Sequence, residues 1–307
     1  MHDLLSAPFF ADLSDYFQAL SKRLQSASIL HLHAPASLEG LLAIGQLEAA
    51  CLDSGIKYTR RFFPAKSHRP RDETVAFSLP TKGLAVYFLP EEETWALSDL
   101  DQEEIIKLVP LSTRVQMGSK NRQHLGAVDC VLQATALASS MAPNGRRVRS
   151  LRPFASLGLW LRGALDTSFD PIHTSLRVHL RDEGTIRVVP LTEVPLTATG
   201  MIPGLSERQC GKLRKAWPKM DLEQRTTALS ELILPCLTHA SLSTPRLEEL
   251  VWKRMLNGDE SMDLASQVFL VQQVWPGTHD EAKMHAAKLL DQWLQSGRLM
   301  MNSEATG

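Results

Sequence analysis

A change of periodicity near residue 200 constrains the fold more than any motif. Before it, short β-compatible runs alternate with stretches whose apolar residues recur at helical spacing. After it, only helical spacing remains. Strands alternating with helices imply an α/β domain built on a parallel sheet. The expectation is therefore an α/β protein: a parallel-sheet domain over residues 1–200, then a mostly helical region over 201–307.

In detail, Leu4, Leu5, Phe9, Leu13, Phe17, Leu20 and Leu24 predict an amphipathic helix over 4–25. A strand over 28–33 ends at Pro35. Ser37 is placed to cap a helix that runs to Gly55. Strands are predicted over 56–63, 74–79 and 84–89, the last two separated by Thr81-Lys82-Gly83. Residues 99–109 admit both a helical and a strand reading. A helix over 125–141 stops at Pro143-Asn144-Gly145, and a loop carrying Arg146, Arg147 and Arg149 follows. A buried helix over 154–165, a helix over 174–181 and a strand over 186–191 complete the first part. Helices over 207–217, 221–236, 244–256, 262–275 and 280–294 make up the second.

Composition limits the functions open to such a fold. Thirty-three basic against 34 acidic residues leave a net charge of −1, unlike the basic balance of a strongly electrostatic nucleic-acid binder. Cys51, Cys130, Cys210 and Cys236 form no CxxC pair and have no His at zinc spacing, so they read as small buried hydrophobes. No run of 18 apolar residues occurs, and Asp3 and Asp12 stand where a secretory leader carries lysines. A cytoplasmic protein with no membrane partner is expected. GxxxxGK[ST], GxGxxG and GxSxG signatures are missing.

Residues 29–63, ILHLHAPASLEGLLAIGQLEAACLDSGIKYTRRFF, run strand, sharp turn, helix, Gly, strand. This layout resembles the opening of DHH-family phosphoesterases, the RecJ-like nucleases especially. There the first strand ends in a DxDG-type turn with a Ser a few residues on, matched here in position by Ser37. Residues 41–52 and Asp53-Ser54-Gly55-Ile56-Lys57-Tyr58 fit the helix and second strand. Residues 179–191, then Ile202-Pro203-Gly204-Leu205-Ser206 and residues 227–232, are similar to the stretch after the catalytic domain of archaeal RecJ-like proteins.

The departures bear on activity. The family turn supplies aspartates, and this chain has His33-Ala34-Pro35-Ala36-Ser37. The next metal-binding strand runs here into Leu89-Pro90, and the Asp-His-His position reads Val109-Pro110-Leu111-Ser112. Asp166 stands alone near a further family Asp. Family members hold paired Mn²⁺ or Mg²⁺, which need several oxygen ligands. With Leu, Pro and Ala in those places, the expectation is no cofactor and no catalysis. The Gly-Gly-His-type signature of the family's substrate-gripping domain also has no counterpart. The resemblance extends to the RecJ-derived subunit of the eukaryotic replicative helicase, which lacks catalysis. It implies a non-catalytic component of a replication complex, with GINS-like and MCM-like partners and weak single-stranded DNA binding.

Individual residues carry rival readings. His31 and His33, on one strand face, fit a phosphate or metal site or simply a polar strand end. Lys120, Arg122, Arg146, Arg147, Arg149 and Arg152 are candidates for tracking a strand's phosphates, or solvated turns. Arg60 and Arg61 point to opposite faces. Glu91-Glu92-Glu93 with Asp99, Asp101, Glu103 and Glu104 suits a partner surface or a helix start. Of Trp217, Trp252, Trp275 and Trp293, Trp275 is the expected interface aromatic. The alternative function is a metal-dependent DHH-like phosphodiesterase or single-strand exonuclease with an altered site. It would need Mn²⁺ or Mg²⁺ and a regrouping of Asp166, Asp129, His31 or His33.

Overall fold

Pro8 has no N–H to continue a helix, and the helix predicted over 4–25 is broken there. Two 3-10 turns, Leu4–Ser6 and Pro8–Phe10, precede α1 (Ser14–Ser26). The apolar residues still enter the core: Leu4, Phe9, Phe10 and Phe17 are fully buried. The computed structural model describes residues 3–70, 73, 75–91, 103–118, 120, 122–167, 169–239, 242–258 and 260–299.

β1 (Leu30–Pro35), α2 (Leu38–Ser54) and β2 (Tyr58–Phe63) follow as the sequence predicts. Ser37 Oγ accepts the N–H of Gly40 at 3.2 Å, and Gly55, at φ 71°, closes α2. The strand expected over 74–79 is not formed; residues 75–79 carry no regular secondary structure, and Thr74 lies outside the described residues. β3 (Leu84–Phe88) and β4 (Ile105–Leu108) complete a parallel sheet of order β2-β1-β3-β4.

A hairpin follows that periodicity did not reveal: β5 (Leu111–Met117) with β6 (Arg122–Val128), paired from Leu111↔Val128 to Met117↔Arg122. It takes the first part of the helix expected over 125–141. The helix, α3 (Cys130–Met141), starts only after Asp129, whose Oδ1 accepts the N–H groups of Val131 and Leu132. The arginine loop at 146–149 is instead α4 (Arg146–Leu151), arginine being a good helix former. A 3-10 turn (Arg152–Ser156), α5 (Leu157–Leu161), α6 (Ala164–Thr167), α7 (Pro171–Asp182) and β7 (Arg187–Val189) come next.

The remainder is α8 (Glu207–Ala216), α9 (Leu222–Ile233), α10 (Thr244–Trp252), β8 (Arg254–Leu256), α11 (Leu264–Gln273) and α12 (His279–Ser296). The helix predicted over 244–256 stops at Trp252 because Arg254–Leu256 pairs antiparallel with β7. That pairing crosses the expected boundary at 200. One hydrophobic cluster runs from Leu4 to Leu299, and Trp293 of α12 packs edge-on against Phe154 at 5.1 Å.

The protein is thus α/β, a parallel sheet with a helical region. Strand register sorts side chains into two faces. Leu30, Leu32, Val86 and Phe88 are buried on the face turned to α2, where Arg60 reaches Glu48 at 3.1 Å. His31, His33, Thr59, Arg61, Ala85 and Tyr87 share the opposite face. Among the described residues, no helix is long and apolar enough to cross a membrane.

Candidate functional site

In open α/β sheets ligands bind beyond the carboxyl ends of strands where the strand order reverses. Here that point lies between β1 and β3. The chain leaving β1 is Ala34-Pro35-Ala36-Ser37, tightly folded. A Cβ on Gly40 would strike Pro35. Ala36 N donates to Phe63 O at 2.8 Å. From the helical region, Trp275 Nε1 donates to Ala36 O at 3.3 Å. Trp275 is half-buried and set against His285 at 5.1 Å. The sequence singles it out as an interface aromatic; within the chain it covers the turn. Leu89-Pro90 leaves β3, and Val109-Pro110 leaves β4.

Acids do occur near this edge, in unexpected places. Glu39, in the first turn of α2, has Oε1 shielded from solvent with no hydrogen-bond partner among the described residues. Burial, then the charge of Asp129, push its carboxyl up to about 8, with Arg162 opposing and Glu91 reinforcing the rise. Asp129 is fully buried, and burial raises it to about 6 against the pull of its helix-capping N–H bonds and Arg162. Its Oδ1 caps α3, and its Oδ2 is unpartnered among the described residues. Glu91 Oε2 accepts Lys66 N at 2.8 Å and Arg69 Nη2 at 3.4 Å.

These residues do not fit a pair of divalent cations. Asp129 Oδ1 is committed to the α3 N-terminus, and Glu91 Oε2 is held by Lys66 N and Arg69, so these acids already serve protein groups. His31 has both ring nitrogens engaged, by Thr59 Oγ1 at 2.9 Å and Lys82 O at 3.0 Å. Asp166 is gripped by Arg246, Nε to Oδ1 at 2.8 Å and Nη2 to Oδ2 at 3.2 Å. His33 stacks on Tyr87 on the opposite sheet face. The regrouping of Asp166, Asp129, His31 and His33 needed by the enzyme alternative is not formed. Among the described residues, no group of three or more His, Cys, Asp or Glu side chains is placed to hold a metal. Ser37 serves as the α2 cap.

The basic candidates divide into three. Lys120 and Arg122, both exposed, sit on the β5–β6 hairpin beside His124 and Phe169, around a cavity of about 440 Å³. Phe169 is 51 % exposed, an aromatic face next to cations. Arg146, Arg147 and Arg149 lie exposed on α4, which packs on α2, α3 and α12, whereas the hairpin packs on α7 and the Pro8–Phe10 turn. Arg147 is paired with Asp53 at 3.1 Å. Arg152 is a correction. It is 1 % exposed, with Nε and Nη2 on the Glu183 carboxylate at 2.5 and 2.8 Å and Nη1 on Ser139 Oγ. A guanidinium so enclosed reaches no strand; it ties the turn after α4 to the end of α7.

Of the acidic run, residues 92–102 lie outside the described residues, and Glu103 and Glu104 are exposed ahead of β4. His124, Phe169, Glu39 and Arg162 were missed from sequence. Arg122-Gln123-His124-Leu125 shows no apolar alternation, so the local pattern carries no signal for this strand. No family model matches the chain, and no curated protein matches its sequence.

Proposed function

We propose that this chain is a RecJ-like protein of the DHH type that has lost catalysis and works as a structural component of a DNA-replication assembly. In that role it would contact GINS-like and MCM-like proteins and hold single-stranded DNA weakly. One observation carries the reading. At the strand-order reversal of a parallel sheet, the place such folds use for ligands, β1 runs into Ala34-Pro35-Ala36, held by Trp275, and β3 runs into Leu89-Pro90. The hairpin group of Lys120, Arg122, His124 and Phe169 supports the weak strand-binding part, since it joins cations to an exposed ring.

Two measurements test this. End-labelled single-stranded DNA incubated with Mn²⁺ and excess protein is expected to stay intact. Cleavage abolished by Asp129→Asn would show a working site around Asp129 and favour the phosphodiesterase alternative. Native purification from the source cells is expected to bring down replication proteins. Recovery of unrelated metabolic enzymes alone would sink the assembly role.

A further inference from the structure

Parallel sheets normally have both faces covered. The face of this sheet away from α2 is crossed, among the described residues, by the segment at 75–80. Ser78 anchors that segment: its N–H donates to Tyr87 Oη at 3.0 Å, and its Oγ lies 3.2 Å from the same hydroxyl. Phe77 meets the Tyr87 ring edge-on at 4.9 Å, and Lys107 Nζ sits 4.4 Å from the centre of the Phe77 ring. Between segment and sheet a cleft of about 190 Å³ remains, lined among others by His31, His33, Arg61, Ser78 and Thr81.

The charge in this cleft is unbalanced. Among the described residues it holds the Arg61 guanidinium and two imidazoles and no carboxylate. Arg61 is exposed and makes no ion pair within 4 Å among the described residues, whereas its neighbour Arg60 is held by Glu48 and Asp291. The ring of His33 lies stacked on Tyr87, centroids 4.4 Å apart and planes 13° apart, which fixes its orientation. His31 is locked by Thr59 and the carbonyl of Lys82 and supplies shape. Burial, Arg61 and His31 hold the His33 imidazole down at about 4, so it is neutral at pH 7. An oriented imidazole beside a guanidinium fork with no ion pair among the described residues suits a multivalent oxyanion. A phosphoryl group carries up to two charges at pH 7 and fills more of this volume than a carboxylate.

We propose that the cleft formed by Arg61, His33 and the 78–81 segment binds a phosphoryl group, carried either by a small nucleotide or by a nucleic-acid strand. Arg61 grips two of its oxygens, and His33 donates a ring N–H to a third. This inference does not rest on the reading of the Ala34-Pro35-Ala36 turn and stands or falls separately.

The test follows the His33 imidazole by NMR in the full chain, titrated with inorganic phosphate, a deoxymononucleotide and a short deoxyoligonucleotide against chloride at equal ionic strength. The expected result is a saturable rise of its pKa by one unit or more, corresponding to about tenfold or greater coupling between protonation and binding. Arg61→Gln should abolish it, Arg61→Lys should weaken it, and Lys212→Gln, a control on exposed α8, should leave it unchanged. A response to phosphate and mononucleotide identifies a small-molecule source, and a response to the oligonucleotide alone identifies a strand. No response to any probe, or a response that survives Arg61→Gln, overturns the proposal. So does a His33 pKa that is already near normal and falls in a Glu92→Gln, Glu93→Gln, Asp99→Asn, Asp101→Asn variant, because the chain's own acids would then fill the cleft.

Discussion

Glu39 and Arg152 show opposite ways of placing a charged residue inside. Arg152 meets the Glu183 carboxylate through two nitrogens. Glu39 meets no partner among the described residues at Oε1 and, raised to about 8, gives up its charge instead. The consequence for stability has a definite sign. The folded carboxyl binds its proton more tightly than the unfolded one at 4.5, so between those values the folded state holds more protons. Its contribution is complete below about 4.5 and lost as pH rises through 8. Melting curves at intervals from pH 5 to 9 should therefore show Glu39→Gln gaining on the wild type as pH rises. A constant difference across that range would refute the assignment. For Arg152→Ala, denaturant unfolding should report a loss of about 3–5 kcal/mol, the cost of leaving one partner of a buried pair behind. Its strand affinity should be unchanged, in contrast to Arg122→Gln.

At the scale of elements, the β5–β6 hairpin is the piece that sequence pattern hid and that carries the basic group. Its exposed strand β6 has a weak apolar alternation, and Gly126 contributes no side chain to it. The glycine is there for contact: a Cβ would meet Ile172 at the start of α7. Gly126→Ala should lower stability by about 1–3 kcal/mol through overpacking and loosen the hairpin from α7, seen as faster amide exchange in β5 and β6. Lys120 and Arg122 depend on that docking for their position beside Phe169. Neutralising either should reduce the slope of log affinity for single-stranded DNA against log salt by about 1, while Arg146→Gln and Arg149→Gln serve as a comparison on a different surface. The α2 helix, by contrast, was legible from its two ends, because Ser37 and Gly55 act through local backbone geometry that needs no distant partner.

Across the whole molecule, the sheet and the later helices share one core. Trp293 of α12 is fully buried, and a Cβ on Gly45 of α2 would collide with it. β7 finds its partner in β8, across the composition boundary. Unfolding should therefore be a single cooperative transition. Trp293→Ala should cost about 3–5 kcal/mol, and a fragment of residues 1–200 should fail to give the cooperative melt of the full chain. A fragment that melted like the intact protein would mean two independent units.

The sequence alone determined what short-range chemistry controls: the parallel-sheet α/β class, β1, α2 and β2 with their caps, the helical character of the later region, and the Ala, Pro and Leu residues at the ends of the strands. The remaining features came from tertiary structure. Whether Arg152 faces solvent or Glu183, and whether Trp275 covers Ala36, depend on residues 31 and 239 positions away. Burial and pairing are properties of neighbours in space, and a free energy of desolvation has no signature in the local pattern of a chain.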